Sequence, residues 1–249
     1  MPDITIDVSM KDRVMKHLAS QYRDESARTG THVSDLIVCL RRPFLMREYF
    51  PDWDSKTLLR FTLGRAFEKV VHEELLLNSN VLLNVEQELE VTHDEEDGTP
   101  VLEGHIDIGA DPLDVETKFT MKSEDANDPD ELFAGNWYWL EQAMTYAVMR
   151  RRRSMMFWVF FATRWGLDFV PYLVKWNNSE LADHWRVMMA RKKYVEGHRI
   201  LGTLPEKTEH KWACNGCPVY KVCYMDDSRR GKRTRVEETT NSVRGKRRV

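Results

Sequence analysis

Hydrophobic and polar positions along this 249-residue chain change period several times, and each change marks an element. Met10 to Arg28 is polar and reads as a helix. Val33 to Arg47 predicts a short helix with Ser34 as its N-cap, and Ser55 to Leu77 carries long helical periodicity. Within Leu82 to Thr92, Val85, Gln87, Leu89 and Val91 alternate with Glu86, Glu88 and Glu90, as on a half-buried strand. His93 to Pro100 (HDEEDGTP) reads as a turn or loop. The segments GHIDIG and LDVETKF alternate again on either side of Asp111 and Pro112, which predicts a hairpin with Pro112 at the second position of a type I turn. Asp130 to Arg153 predicts a helix ending in four arginines. Ser154 to Thr163 and Leu167 to Trp176 read as strands around a tight turn at Trp165 and Gly166. Ser179 to Arg199 predicts a helix, and Thr203 to Asp227 is irregular. With no internal repeat, this order of helices and strands gives a mixed α/β layout.

The hairpin places Asp107, Glu116 and Lys118 where a sheet wants apolar residues. A turn centred between Asp111 and Pro112 sets Asp107 opposite Glu116; one centred between Pro112 and Leu113 sets it opposite Lys118. In both registers the three share a face, because side chains repeat every two residues. Opposed Cβ atoms in a sheet lie about 5 Å apart. Two carboxylates that close repel unless a cation separates them or one stays protonated. A hard divalent ion, Mg²⁺ or Mn²⁺, with its preference for oxygen ligands, resolves the conflict. A solvated hairpin face with an ion pair is the alternative.

Composition adds limits. Apolar residues make up 42% of the chain and aromatics 10%, enough for a core in one large domain with small appendages. The longest uninterrupted apolar run, Met155 to Ala162, is too short to span a bilayer, so no membrane association is expected. The opening MPDITIDVSM lacks the pattern of a secretory signal. A soluble protein of the cytoplasm (the host's, if viral) is therefore expected, with disulfides disfavoured. The net charge of −3 conceals an asymmetry: Ser228 to Val249 holds nine Lys or Arg and two Glu, a net of +7 that leaves −10 on the rest. Such a tail is expected to be disordered, and it suits either an electrostatic arm for a polyanion or a solubilising terminus.

The four cysteines are Cys39, Cys214, Cys217 and Cys223, the last three within CNGCPVYKVC. A CxxC pair is a ligand element for both zinc and iron–sulfur clusters, and Pro218 after Cys217 matches ferredoxin-type runs. A 4Fe-4S cluster, a zinc ion and unligated thiols are the three readings of this set. Two helical stripes carry further candidates. Gly64, Glu68 and His72 recur at steps of four, so His72 would reach a metal on the adjacent sheet. Trp139, Gln142, Tyr146 and Met149 form a second stripe, either an amphipathic core face or a Gln and Tyr turned toward a phosphate-bearing cleft.

Taken together, these motifs resemble the RecB-like branch of the PD-(D/E)xK nuclease superfamily, and within it the CRISPR-associated exonucleases that carry an iron–sulfur cluster, with their stand-alone phage or archaeal relatives. SDLIVCLRRPF supplies Cys39, GRAFEKVVH the histidine His72, GHID the aspartate Asp107, ETK the pair Glu116 and Lys118, QAMTY the pair Gln142 and Tyr146, and CNGCPVYKVC the remaining cysteines. Ile106 stands where the superfamily's name has proline. The resemblance spans about residues 33 to 225. It implies a restriction-endonuclease-like α/β core, a central mixed sheet flanked by helices, with the four-cysteine cluster joining the N-terminal helical region to the C-terminal loop. Residues 1–30 would be a helical extension, 31–227 the nuclease domain and 228–249 the basic tail. It further implies Mn²⁺ or Mg²⁺ held by His72, Asp107, Glu116 and the Thr117 carbonyl. Lys118, Gln142 and Tyr146 would serve catalysis, and Cys39, Cys214, Cys217 and Cys223 would bind a structural 4Fe-4S cluster. The implied activity is exonucleolytic hydrolysis of DNA, 5′ to 3′ on single strands, with CRISPR or phage recombination proteins as partners. The alternative is a non-catalytic DNA-binding subunit of a CRISPR adaptation or recombination complex.

Overall fold

The computed structural model describes residues 8–21, 30–49, 53–78, 83–94, 100–121, 128–163 and 166–224. Its sheet grows from the alternating segments. Strands β1 (Leu83–Asp94), β2 (Pro100–Asp111), β3 (Val115–Thr120), β4 (Ser154–Thr163) and β5 (Gly166–Lys175) lie in the order β1-β2-β3-β4-β5. All neighbours run antiparallel except β3 and β4, which pair in parallel from Val115 with Met156 to Thr120 with Phe161. Parallel pairing needs a crossover, which α4 (Pro129–Gly135) and α5 (Trp137–Met149) supply. The apolar run in β4 explains its interior place: Met155, Phe157, Val159 and Phe161 are fully buried, and Trp158 and Phe160 nearly so. β5 is exposed over its first residues, alternates between exposed and half-buried positions from Phe169 on, and carries Pro171, as suits the last strand of a sheet.

The helices also include α1 (Val8–Gln21), α2 (Arg42–Glu48), α3 (Ser55–Asn78), α6 (Asn178–Leu201), α7 (Lys211–Cys214) and α8 (Tyr220–Tyr224). Two expected helices are broken. Val33 to Arg47 divides into a 3-10 turn, Val33–Leu36, with His32 rather than Ser34 at its N-cap, and α2, whose first turn holds Pro43. Proline cannot continue a preceding helix but suits the first turn of a new one. Asp130 to Arg153 divides at Asn136, whose backbone N–H and side-chain amide both donate to the Leu132 carbonyl, while its own carbonyl accepts from Trp139. The Asp111–Pro112 peptide is cis, where a type I turn is expected. The Trp165 turn position and the tail from Ser228 lie outside the described residues.

The chain divides into two compact units: residues 1–29, 39–63 and 206–249 form one, and 30–38 with 64–205 form the other. The second contains the sheet, α4, α5 and α6; the first contains α1, α2, α7, α8 and all four cysteines. Among the described residues, no helix is long and apolar enough to cross a membrane.

Candidate active site

β2 and β3 pair at Ile108 and Val115, which sets Asp107 opposite Glu116, the first of the two registers. Asp107 Oδ2 accepts a 2.7 Å hydrogen bond from the Thr117 backbone N–H, so this carboxylate bridges the two strands beside their recorded pair. Glu116 is 1% exposed. Its Oε1 lies 2.6 Å from Lys118 Nζ, two residues along the same strand, while its Oε2 is buried without a hydrogen-bond partner. A buried, unsatisfied carboxylate oxygen costs about 1–3 kcal/mol or more, and a cation is the partner that best removes the cost.

A third acid joins these two. Glu68, on α3, shares a hydrogen bond with Asp107 and lies within the field of Glu116 and Lys118. Burial, then the Asp107 charge, push the Glu68 carboxyl up to about 8. The same causes in the same order push Glu116 up to about 7. Glu68 and Glu116 thus hold protons that isolated carboxyls would release near pH 4. Lys118 answers oppositely. Burial pulls its ammonium down, but Glu116 and Asp107 outweigh that and hold it above the ordinary lysine range. Glu68 is the residue that sequence reasoning passes over: its stripe with Gly64 and His72 is visible, but the histidine looks the better ligand. The side chains of His72, Glu86 and Glu88 lie outside the described residues.

α5 brings Gln142 and Tyr146 to the same place. Gln142 Oε1 is 3.5 Å from Lys118 Nζ, and Gln142 Nε2 donates to the Tyr146 hydroxyl at 3.1 Å. Tyr146 is 3% exposed, and burial foremost pushes its phenol above the usual tyrosine range. Its ring passes over Gly104 of β2, where any Cβ would lie 2.4 Å from Tyr146 Cε1. The glycine of GHID is therefore the space in which the tyrosine sits. Asp107, Glu116, Lys118, Gln142, Tyr146 and the backbone of Thr117 are thus neighbours, with Glu68 added.

The four cysteines are all free, and all four line one cavity of about 20 Å³ in the unit that contains α2, α7 and α8. Burial raises the Cys217 thiol, partly offset by the Val219 backbone N–H and by Arg42. Gly216, at φ 74°, closes the CNGC turn against Asp54 and Thr57, where a Cβ would come within 2.7 Å of Thr57 Oγ1. Four thiols on one cavity are the donor types of a soft metal ion or an iron–sulfur cluster. Among the described residues, neither these thiols nor the carboxylates form a group of three gathered at ligand distances from a common point.

The fold has a counterpart among solved structures. The chain matches the crystal structure of SSO0001 with a TM-score of 0.56 and 15% identity, over 86% of this chain and 96% of that one. A looser match, with a TM-score of 0.41 and 11% identity, covers 57% of this chain and 72% of an alkaline exonuclease, LHK-Exo, from Laribacter hongkongensis. No protein-family model and no curated protein matches the sequence. At such identities the first likeness concerns the fold alone: a five-stranded mixed sheet flanked by helices.

The arginine run after α5 is not uniform. Arg150 and Arg152 turn to Asp114, which is fully buried and also accepts from the Ala110 N–H. Arg152 additionally pairs with Asp111 at 2.6 Å. These pairs tie the end of α5 to the β2–β3 turn, and so hold the Gln142 and Tyr146 helix beside the Asp107 and Glu116 strands.

Proposed function

We propose that this chain is a metal-dependent deoxyribonuclease of the RecB-like PD-(D/E)xK type. The observation that carries the reading is Glu116: one carboxylate oxygen on Lys118, the other buried without a partner, beside Asp107 and Glu68. This donor set suits a hard divalent ion, Mg²⁺ or Mn²⁺, held by Asp107, Glu116 and Glu68 with the Thr117 carbonyl. His72, placed by its sequence one turn beyond Glu68 on α3, would add a nitrogen ligand. The ion would neutralise phosphodiester charge and lower the pKa of water there. Lys118, kept cationic by Glu116 and Asp107, is suited to donate hydrogen bonds to the attacking water and to the charge that builds on the phosphoryl oxygens. As an ammonium it orients the nucleophile rather than deprotonating it. Gln142 fixes the Lys118 head, and Tyr146 fixes Gln142.

Within that reading, the substrate is DNA, degraded exonucleolytically from the 5′ end of single strands, in company with CRISPR adaptation or phage recombination proteins. The four cysteines hold a 4Fe-4S cluster as a structural staple, with zinc, which takes the same thiolate donors, as the second assignment. The test is a degradation assay with 5′-blocked and 3′-blocked labelled strands in Mn²⁺ or Mg²⁺. Release of nucleotides from the unblocked 5′ end is the expected result. Intact DNA at high protein concentration, with metal binding verified by calorimetry, overturns the nuclease assignment.

A further inference from the structure

The end of α5 is a Schellman closure with the wrong residue in it. Arg152 N–H donates to the Ala147 carbonyl and Arg151 N–H to the Val148 carbonyl, the paired bonds of that motif. The second of these donors adopts the left-handed conformation that glycine normally supplies, yet it is Arg151, at φ 54°. It is also the described non-glycine residue with positive φ. Such a conformation persists only where neighbours impose it. Here they do: Arg150 and Arg152 are both drawn to buried Asp114. Arg151 and Arg153 are exposed, and neither joins the Asp114 cluster. Both line an open pocket of about 270 Å³ whose polar side chains are Arg151, Arg152, Arg153 and Asn178 and whose other residues are apolar, with Val148, Leu181 and Trp185 among them. Trp185 is braced edge-on by His93, with ring centres 4.7 Å apart. Two exposed guanidinium forks beside the Asn178 amide have the donors that a phosphate oxyanion takes.

We propose that Arg151 and Arg153 form a docking site for the phosphodiester backbone of the DNA strand, separate from the Asp107 and Glu116 site and held to it through α5. The proposal rests on the nuclease reading for its ligand. A strand engaged both here and at Lys118 would have its register set by the fixed length of α5 between Tyr146 and Arg151. Glycine would fit this left-handed turn better but would carry no guanidinium.

The experiment compares wild-type full chain with Arg151→Gly and with Arg151→Gly/Arg153→Gln. It measures binding of a fluorescein-labelled single-stranded oligonucleotide in EDTA across a salt series, together with melting temperature. Each lost phosphate contact lowers the slope of log affinity against log salt by about 0.7 for a single strand, so the double variant is expected to lower it by about 1.4. Arg151→Gly is expected to keep or raise the melting temperature while weakening binding. Equal slopes in a wild type and double variant that both bind, or a wild type that cleaves DNA without binding through this run, overturn the docking site and leave the nuclease reading standing. A wild type that neither binds nor cleaves overturns both. Loss of stability with Arg151→Gly together with an unchanged salt slope shows a purely structural role and overturns the proposal as well.

Discussion

Lys118 Nζ sits 2.6 Å from one oxygen of Glu116, and the other oxygen of that carboxylate, Oε2, is buried with nothing bonded to it. The ammonium therefore occupies half of the carboxylate and leaves half for another cation. Lys118→Ala should reduce DNA cleavage by about 10²–10³-fold, the usual loss when one charge-stabilising donor is removed. Divalent ion binding, measured by calorimetry, should survive, because Asp107, Glu116 and Glu68 are untouched. Retained cleavage in the variant would remove Lys118 from the mechanism.

Gly104 offers a test that touches no ionisable group. Gly104→Ala puts a methyl 2.4 Å from the Tyr146 ring and forces it away from Gln142. Overpacking of this kind costs about 1–3 kcal/mol of stability. Misplacement by about 1 Å can cost about 10²-fold in rate, so kcat should fall far more than the melting temperature. A variant with wild-type kcat would show that Tyr146 does not position the site.

The crowded acids make a pH prediction with a definite sign. Glu68 and Glu116 have folded-state pKa values raised to about 8 and about 7, from an ordinary 4.5. The folded form then holds protons that the unfolded chain has already released. Stability of the metal-free protein should fall as pH rises from about 4.5 through 7 and 8. Adding Mn²⁺ should raise the melting temperature more at pH 8 than at pH 5.5, and Glu68→Gln should shrink the difference. Thermal melts in EDTA and in Mn²⁺ across this range check it. A metal-free protein that gains stability up to pH 8 would contradict the crowding.

Asp114 touches no group of the candidate site, yet it anchors two arginines and one backbone N–H while fully buried. Asp114→Ala should destabilise by about 2–4 kcal/mol, below the upper range for broken buried pairs because Arg150 and Arg152 keep access to water. Chemical denaturation measures this directly. A loss under about 0.5 kcal/mol, the usual range for an exposed site, would mean that the cluster contributes little.

For the cysteines, anaerobically purified protein should contain iron and acid-labile sulfide in equal amounts, about four each per chain. Serine at Cys217 should abolish that content and lower the melting temperature. One zinc per chain instead would assign the site to the simpler ion.

Much of this arrangement is legible in the chain itself. The period-2 alternation in GHIDIG and LDVETKF is enough to find the hairpin and to group Asp107, Glu116 and Lys118 on a face. It does not choose the register, since both turn centres keep the alternation; the pairing of Ile108 with Val115 decides it. The break at Asn136 is hidden because Asn136 satisfies the helix end with its own side chain inside a continuous helical pattern. Glu68 is overlooked because a helix face displays an acid and a histidine one turn apart without saying which is buried. The four arginines look equivalent as a charge run. Only the three-dimensional position of Asp114, far from them in sequence, separates the two that are paired from the two that are not.

Pro171 has a quieter consequence. It sits midway along β5, paired with Trp158, and has no N–H to offer a further strand. Leu167, Phe169 and Leu173 are exposed on the same strand. Sticky side chains on an open margin ordinarily invite runaway stacking of one molecule's sheet onto the next. Here the imino acid removes one donor from the middle of that template, which weakens it as a docking edge.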